Sequence, residues 1–382
     1  MLNKLKQKIK NNNKLYNLFQ ILIMIKKSKI IKENGLKKKY PKVIQLPITQ
    51  YCNAKCIMCN IPEMNCENEI GHDELERILK DPIFKEVESV GVNGGEPFLK
   101  FNIEKYIKAI LKLPKLKSIN IISNGFATTI ILSKLELIYK LCKEKDVKFH
   151  ISFSLDGVGR IHDTIRGVPG VFKKVIKTID EIFENKNKYC DSIDLGCTIS
   201  KKNLDYLSEL EKFSDIKNYN IKYRLAISNA RIESEEKIKE FSIFEDVRDK
   251  QTAKEFFQKQ FYKSKKINEK YKYWSIYMFL SEKNPKRYLG CTWKENGITL
   301  DSQGEIYYCA VKSKRLGNLR SKINGEKIFF SNDNLNYRSE ILNEECENCI
   351  HDYSGGVDFK NIIKFVLYCL KNKFWINSYK RR

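Results

Sequence analysis

The sequence predicts an α/β fold built on a parallel β-sheet. Between residues 43 and 227, six short segments rich in β-branched residues alternate with longer segments of helical period. Parallel strands need crossover connections of this kind, and such crossovers are right-handed. Cysteines and polar residues follow the first four strands, at the end of the sheet where α/β proteins bind ligands. A closed barrel, an open barrel and a doubly wound sheet all satisfy this pattern.

Strands and helices follow one another in strict order along this region. The predicted strands cover residues 43–49, 87–93, 118–123, 147–155, 192–200 and 220–227. The predicted helices cover residues 72–84, 102–113, 133–144, 171–185 and 204–213. Asp73 and Glu76 have the spacing of a capping box, which predicts the start of the first of these helices.

The rest of the chain divides by composition. Residues 236–288 are rich in lysine, glutamate and aromatic residues, which predicts polar helices in a linker region. Residues 297–309 alternate around a Ser-Gln-Gly turn, which predicts a β-hairpin. The predicted divisions are a basic helical extension, the α/β region, the helical linker, a small C-terminal domain and a basic C-terminal helix, at residues 1–42, 43–235, 236–289, 290–352 and 353–382.

The bulk composition limits the class of protein. The chain has 382 residues, of which 42% are hydrophobic and 31% charged, as in globular proteins. No apolar run approaches the ~20 residues of a membrane-spanning helix, and no secretory signal is recognisable, so we expect a cytoplasmic protein. The net charge of +24 comes mostly from lysine, which is abundant throughout; we interpret it as compositional and expect no nucleic-acid partner.

Three cysteines lie close together directly after the first strand. Cys52, Cys56 and Cys59 have the spacing C-x3-C-x2-C. Thiolates select soft metals such as zinc, copper(I) and iron–sulfur clusters. A four-iron cluster normally takes one cysteine per iron, so three cysteines would leave one iron open for another ligand. A zinc site completed by a distant residue, or incidental cysteines, are the alternatives.

A second group of cysteines lies near the C-terminus. Cys291 and Cys309 flank the predicted hairpin, and Cys346 and Cys349 add a C-x2-C pair. Four thiols of this kind make a complete metal site, for which a zinc ribbon is one interpretation. The other five cysteines have no ligand spacing, and we expect most of them to be small buried residues. They are Cys66, Cys142, Cys190, Cys197 and Cys369.

The cysteine loop followed by Gly-Gly-Glu-Pro at residues 94–97 resembles the signature of the radical S-adenosylmethionine (SAM) enzymes. The resemblance covers roughly residues 43–230. It implies a partial (β/α)6 barrel, a [4Fe–4S] cluster on Cys52, Cys56 and Cys59, and SAM as the ligand of the fourth iron. It also implies that an electron donor such as flavodoxin or ferredoxin reduces SAM, giving a 5′-deoxyadenosyl radical that abstracts a substrate hydrogen.

The resemblance assigns SAM contacts to residues after the other strands. Met58 would lie beside the adenine, and Asn124 near the ribose. Gly94, Gly95 and Glu96 resemble the element that holds the methionine amino group, where a carboxylate suits an ammonium. Glu96 could instead be a carboxylate at a helix N-terminus.

The stretch Ser-Leu-Asp-Gly…Arg-Gly at residues 154–167 resembles that of the subgroup with extra clusters. There Ser154 and Arg166 would contact SAM, Arg166 through the SAM carboxylate. Asp156 with Gly157 could be no more than a turn, and Arg166 could be a surface residue. His162 is either structural or part of the site.

The second cysteine group resembles the SPASM/twitch auxiliary domain of the same enzymes. Because the chain has four such cysteines and not the longer SPASM set, the match is to the twitch form. It implies one auxiliary [4Fe–4S] cluster on Cys291, Cys309, Cys346 and Cys349, which would accept an electron. The expected reaction is oxidation of a small hydroxylated molecule, such as a sugar or aminocyclitol. A peptide or protein maturase is one alternative, and a non-catalytic zinc or nucleic-acid binding module is another; no catalytic base is identified.

Both ends of the chain are basic and amphipathic. Residues 14–32 and 361–382 mix aliphatic and aromatic residues with lysines. Such helices can lie on an anionic membrane, which would place the protein at the inner membrane surface and suggest a lipid-linked or surface-polysaccharide sugar as substrate. Alternatively, they pack on the barrel with their lysines in water.

Overall fold

The computed structural model describes residues 13–28, 35–232, 237–321, 324–353 and 355–372. The chain forms two compact units. We call Asn34–Asp249 with Trp293–Cys346 the sheet unit, and Met1–Glu33 with Lys250–Thr292 and Glu347–Arg382 the helical unit. The predicted five-part division stays a prediction. No helix among the described residues is long and apolar enough to cross a bilayer.

The sheet unit contains all nine strands that the described residues form. They are β1 (Val43–Pro47), β2 (Ser89–Asn93), β3 (Ser118–Ser123), β4 (Lys148–Ser154), β5 (Ser192–Ile199), β6 (Ile221–Leu225), β7 (Gly297–Leu300), β8 (Glu305–Tyr307) and β9 (Gly317–Asn318). Their order in the sheet is β6-β5-β4-β3-β2-β1-β7-β8-β9. Strands β1 to β6 pair in parallel, which confirms the predicted parallel sheet.

The strand order decides between the three architectures that the sequence left open. It runs without reversal from β1 to β6, whereas a doubly wound sheet reverses its order at a switch point. Strands β6 and β9 are the edges of the sheet, so it is open. Right-handed crossovers between strands in this order place the connecting helices on one face. Ile44, Leu46 and Phe149 lie fully buried beneath them.

In the described parts of the strand connections and of the region after β6, the chain forms nine α-helices. They are α2 (His72–Leu79), α3 (Ile103–Ile110), α4 (Thr128–Glu144), α5 (Arg160–Arg166), α6 (Val171–Glu184), α7 (Lys186–Tyr189), α8 (Leu207–Lys217), α9 (Ile238–Phe241) and α10 (Val247–Lys263). The last of these continues from the sheet unit into the helical unit.

The predicted capping box at the start of α2 is wrong. The residue before the helix is Gly71, which makes no side-chain cap, and Asp73 lies inside the first turn. Glu76 pairs instead with Lys112, at 2.7 Å. The helix also ends before Pro82, because a proline cannot donate the next helical hydrogen bond.

The predicted hairpin is present and extends the sheet. Strands β7 and β8 are antiparallel, and β7 also pairs in parallel with β1, with Val43 opposite Gly297 and Gln45 opposite Thr299. The sequence did not predict this pairing. The short helices α12 (Trp293–Asn296), α13 (Gly325–Phe329) and α14 (Asn332–Glu344) complete the sheet unit. The hairpin is therefore continuous with the strand that leads into the cysteine loop.

The helical unit has an aromatic core. It comprises α1 (Asn13–Lys27), most of α10, α11 (Ile267–Ser281) and α15 (Phe359–Lys371). The rings of Trp274 and Phe365 have centroids 5.2 Å apart, and both residues are fully buried. Phe257 and Phe261 are buried in the same unit. Aromatic residues from the segment interpreted as a polar linker thus form most of this core.

Candidate active site

The cysteine loop follows β1 and is held by the turn after β2. The amide of Gly95 donates to the carbonyl oxygen of Thr49 at 2.7 Å, and that of Glu96 to the carbonyl oxygen of Tyr51 at 2.9 Å. A Cβ atom on Gly94 would lie 2.3 Å from the Thr49 oxygen, and one on Gly95 would lie 2.2 Å from the Tyr51 oxygen. Since no side chain fits at either distance, both positions require glycine.

Helix α5 holds the other side of the loop. The amide of Lys55 donates to the carbonyl oxygen of Arg166 at 2.9 Å, and that of Ile57 to the carbonyl oxygen of Ile165 at 3.1 Å. Gly167 ends the helix with a φ of +66°, and a Cβ there would lie 2.1 Å from the Lys55 oxygen. The loop is thus fixed by backbone hydrogen bonds to two other strand connections.

The three thiols of the loop are half-buried and face hydrogen-bond donors. The Ala54 amide lies 3.4 Å from Cys52 Sγ, and Arg166 Nη1 lies 3.6 Å from Cys56 Sγ. Burial, with repulsion from the neighbouring Cys56 thiolate, raises the pKa of Cys52 to about 12 and that of Cys59 to about 11. Thiolates at these positions therefore call for a positively charged partner.

Thiolates are soft metal ligands, and thiolates that also accept N–H hydrogen bonds fit an iron–sulfur cluster. In the part of the chain that the structure describes, no three His, Cys, Asp or Glu side chains are arranged to hold one metal ion.

Glu96 is buried and engaged by three donors. Its Oε1 accepts from the Phe98 amide at 3.1 Å and the Ser123 hydroxyl at 2.9 Å. Its Oε2 accepts from the Asn124 amide at 2.7 Å. These bonds match the alternative that Glu96 caps a helix, here the 3₁₀ turn Pro97–Leu99. They join the ends of β2 and β3, and the contact with a methionine ammonium stays a prediction.

Arg166 is paired inside the protein. Its Nη2 lies 2.5 Å from Asp156 Oδ2, while Asp156 Oδ1 accepts from the Thr198 amide at 2.7 Å. Although burial opposes its charge, the Asp156 carboxylate raises the pKa of Arg166. The alternative that Arg166 is a surface residue is therefore wrong, and Asp156 does more than form a turn. The predicted contact between Arg166 and the SAM carboxylate stays a prediction.

His162 is structural. It is fully buried between the rings of Phe126 and Phe172. Its Nδ1 accepts from the Asp156 amide at 3.2 Å. Burial, with repulsion from Arg166, lowers the pKa of His162 to about 3, so the ring stays neutral.

The remaining predicted SAM contacts lie at the same end of the sheet. Asn124 Nδ2 donates to Asn53 Oδ1 at 2.7 Å, which ties the end of β3 to the cysteine loop. Ser154 is the last residue of β4 and is half-buried, as is Met58 between the second and third cysteines. The structure thus brings the predicted residues to the carboxyl ends of β1 to β4. Their roles toward SAM stay predictions.

Comparison with known proteins agrees with this arrangement. A family model described as "Radical SAM superfamily" matches residues 46–213, which include the three cysteines, the Gly-Gly-Glu turn and α5. The region that carries the cysteine loop is thus similar to the radical SAM superfamily. The chain is 27% identical over 171 residues to the "Probable GTP 3′,8-cyclase" of Methanocella arvoryzae, a match that covers 44% of this chain and 49% of that one. The chain spans about half the length of the curated relatives it matches.

Solved structures share its fold. Native anSMEcpe with bound AdoMet superimposes with a TM-score of 0.58 at 18% identity, covering 87% of this chain and 98% of that one. Streptococcus suis SuiB bound to S-adenosylmethionine gives a TM-score of 0.52 at 17% identity, covering 85% of this chain and 72% of that one. At such identities the likeness concerns the fold alone.

The second cysteine group is divided between the two units. Cys291 and Cys349 belong to the helical unit, and Cys309 and Cys346 to the sheet unit. All four are half-buried, and none of them forms a disulfide. Cys309 follows β8 closely, and its sulfur accepts from the Lys312 amide at 3.3 Å. The auxiliary cluster stays a prediction.

Arg287 joins the segments that carry Cys291 and Cys349. All five of its N–H groups donate to backbone carbonyl oxygens between 2.7 and 3.0 Å away, so the side chain has no donor left. The acceptors are Leu289, Gly290, Cys349, His351 and Tyr353. A Cβ on Gly355 would lie 2.4 Å from the carbonyl carbon of Cys291, so these backbones are in direct contact. Sequence reasoning missed Arg287 because its partners are backbone carbonyl oxygens, which no residue pattern records.

The buried Glu96 predicts a dependence of stability on pH. Burial raises its pKa to about 7 from the usual 4.5, despite its hydrogen bonds. The folded protein therefore retains a proton that the unfolded chain releases, so Glu96 favours folding at low pH and loses this contribution as pH rises through about 7. We expect the urea stability of the cluster-free protein, relative to that of Glu96→Gln, to fall by roughly 1–3 kcal/mol between pH 5 and pH 8.

Glu104 provides the control for this experiment. Although partial burial opposes it, a hydrogen bond from Lys134 lowers the pKa of Glu104. The same comparison with Glu104→Gln should not reproduce that fall. Parallel pH profiles of the native protein and Glu96→Gln would contradict the assignment to Glu96.

Proposed function

We propose that this protein is a radical SAM enzyme that oxidises a small hydroxylated molecule, such as a sugar or aminocyclitol. Cys52, Cys56 and Cys59 would hold a [4Fe–4S] cluster whose fourth iron binds SAM. An auxiliary [4Fe–4S] cluster on the second cysteine group would accept an electron, as in the SPASM/twitch subgroup. The observation that carries the proposal is the three-thiol loop, held rigid between the Gly-Gly-Glu turn and α5.

Bound together, the cluster and SAM supply a 5′-deoxyadenosyl radical once a donor such as flavodoxin or ferredoxin has delivered one electron. The residues around the cysteine loop position the loop and balance the negative charge of its thiolates. Arg166 places a permanent positive charge 3.6 Å from the Cys56 sulfur. Asn124 fixes the loop through Asn53.

A polar face of the sheet supports a hydroxylated substrate. Strand pairing places Gln45, Gly91, Asn120 and His150 in one row across β1 to β4. Their neighbours along each strand, such as Ile44, point to the helix-covered face and are buried, so this row lies on the opposite face. Among the described residues, the buried side-chain oxygens of Asn93 and Asn120 have no hydrogen-bond partner. Both oxygens are acceptors, which suit hydroxyl donors.

Gly91 leaves open space in the middle of this polar face. A Cβ there would have a single atom within 4 Å, the carbonyl oxygen of Ile44 at 3.8 Å. A glycine inside a strand often marks the close approach of a ligand. Gly91 lies three residues before Gly94, or ~10 Å along the strand. A substrate that contacts the polar face at Gly91 would therefore lie ~10 Å along the strand from the turn that holds the cysteine loop.

The three loop cysteines are the first test. We expect the native protein, reconstituted anaerobically, to contain about eight iron atoms, as two four-iron clusters. Replacing Cys52, Cys56 and Cys59 by alanine should leave about four and abolish SAM cleavage, measured by iron and sulfide analysis and by chromatography of 5′-deoxyadenosine. Cys66→Ala, at an exposed cysteine without ligand spacing, should behave as the native protein. Zinc in place of iron, or persisting SAM cleavage, would refute the assignment.

Arg287 provides a test of the auxiliary cluster. Arg287→Lys keeps the charge but cannot donate five hydrogen bonds. We expect the variant to lose about four iron atoms and to keep SAM cleavage, because the cysteine loop lies elsewhere in the chain. Arg77→Lys, at an exposed arginine, is the control. Full iron content in Arg287→Lys would contradict the role of Arg287, whereas about four irons in the native protein would contradict the auxiliary cluster itself.

Filling the space at Gly91 tests whether the substrate binds on the polar face of the sheet. Gly91 has an ordinary strand conformation that accepts a side chain. Gly91→Leu should keep the iron content and basal SAM cleavage but lose the stimulation of 5′-deoxyadenosine formation by a panel of sugars and aminocyclitols. Gly71→Ala, where a Cβ would meet no atom within 4 Å, should retain it. Stimulation of the native protein by a peptide and by no compound of the panel would favour the maturase alternative.

A further inference from the structure

Helix α1 exposes a stripe of large apolar side chains. Leu18, Leu22 and Ile25 recur at helical spacing, and Phe19 lies beside them. All four are exposed, Leu22 to 55%. A helix that buries all its apolar residues against its own protein does not leave such a stripe in water.

Helix α15 is apolar on two sides. Ile362, Phe365 and Cys369 are buried in the helical unit. A second stripe remains exposed on the same helix, with Leu367 exposed to 58%. It consists of Phe359, Ile363, Leu367 and Leu370. The alternative that the C-terminal helix packs against the rest of the protein therefore accounts for one side of α15. The other side has no partner among the described residues.

The two stripes belong to the same unit and to neighbouring helices. Helices α1 and α15 contact each other within the helical unit. Exposed apolar side chains that are grouped along a helix mark an interaction site.

The charges on these helices are all of one sign. Neither Asn13–Lys27 nor Phe359–Lys371 contains an acidic residue. Four exposed lysines accompany the apolar stripes, at Lys26, Lys360, Lys364 and Lys371. Lysines beside an apolar helical face are typical of helices that lie in the interface of an anionic membrane.

We propose that the exposed faces of α1 and α15 dock the helical unit on an anionic membrane surface. The apolar stripes would enter the boundary between headgroups and acyl chains, and the lysines would contact the headgroup phosphates. A second copy of this chain is a poorer occupant, because two basic surfaces repel each other. The proposal does not depend on the proposed reaction. Of the predicted basic segments 14–32 and 361–382, residues 29–32 and 373–382 lie outside the described residues.

Vesicle flotation of the full chain tests this proposal. We expect the protein to float with vesicles of phosphatidylcholine and phosphatidylglycerol, and to remain at the bottom with phosphatidylcholine alone. Raising the salt concentration should weaken the binding, because the attraction of exposed lysines to headgroups is screened. No flotation with the anionic vesicles would overturn the proposal.

Charge substitutions within the stripes locate the surface. Leu22→Glu and Leu367→Glu change exposed side chains, so the thermal midpoint should stay unchanged while the vesicle-bound fraction falls at least tenfold. Ile216→Glu is the matched control, because Ile216 is an exposed apolar residue of α8, in the sheet unit. Flotation of both stripe variants at the native level would refute the assignment of the surface. A native dimer that the same two variants dissociate, without native flotation, would identify a second copy as the occupant.

Discussion

The backbone contact between the Gly-Gly-Glu turn and the cysteine loop is the constraint on which the site depends. Two amides of the turn donate to the carbonyl oxygens of Thr49 and Tyr51, directly before Cys52. Gly94 and Gly95 lie so close to these oxygens that any Cβ would push the loop away. The position of the first thiol is therefore set by the end of β2 as much as by β1, and only a parallel sheet brings those two ends together.

Buried polar and charged side chains fix the same arrangement from the neighbouring strands. Glu96 accepts from the ends of β2 and β3, and Asp156, at the end of β4, pairs with Arg166 of α5. Glu96 would be costly to bury without its hydrogen-bond donors, and removing either Asp156 or Arg166 would leave an uncompensated buried charge. Loss of any of them would therefore disturb the loop as well as the local packing.

The bounds of the parallel strands could be predicted from the sequence because they depend on local residue patterns. Strand β3 was predicted with its observed bounds, and the other five parallel strands agree within about two residues. The strand order, and the pairing of β7 with β1, depend on contacts between distant segments that no local pattern records.

The capping box failed because Asp73 and Glu76 satisfy the motif by spacing, while the backbone starts the helix earlier. Glu96 was predicted as a site residue, but its three donors come from two separate segments, which the sequence did not indicate. Arg287 was missed because its partners are backbone carbonyls, which carry no residue signature.

The central claim is that the loop of Cys52, Cys56 and Cys59 holds the cluster at which SAM is cleaved. The most direct measurement is the electron paramagnetic resonance spectrum of the reconstituted and reduced protein, recorded with and without SAM. The account predicts the signal of a reduced [4Fe–4S] cluster that SAM perturbs, together with formation of 5′-deoxyadenosine in the same sample. A cluster signal that SAM leaves unchanged, with no 5′-deoxyadenosine formed, would contradict it.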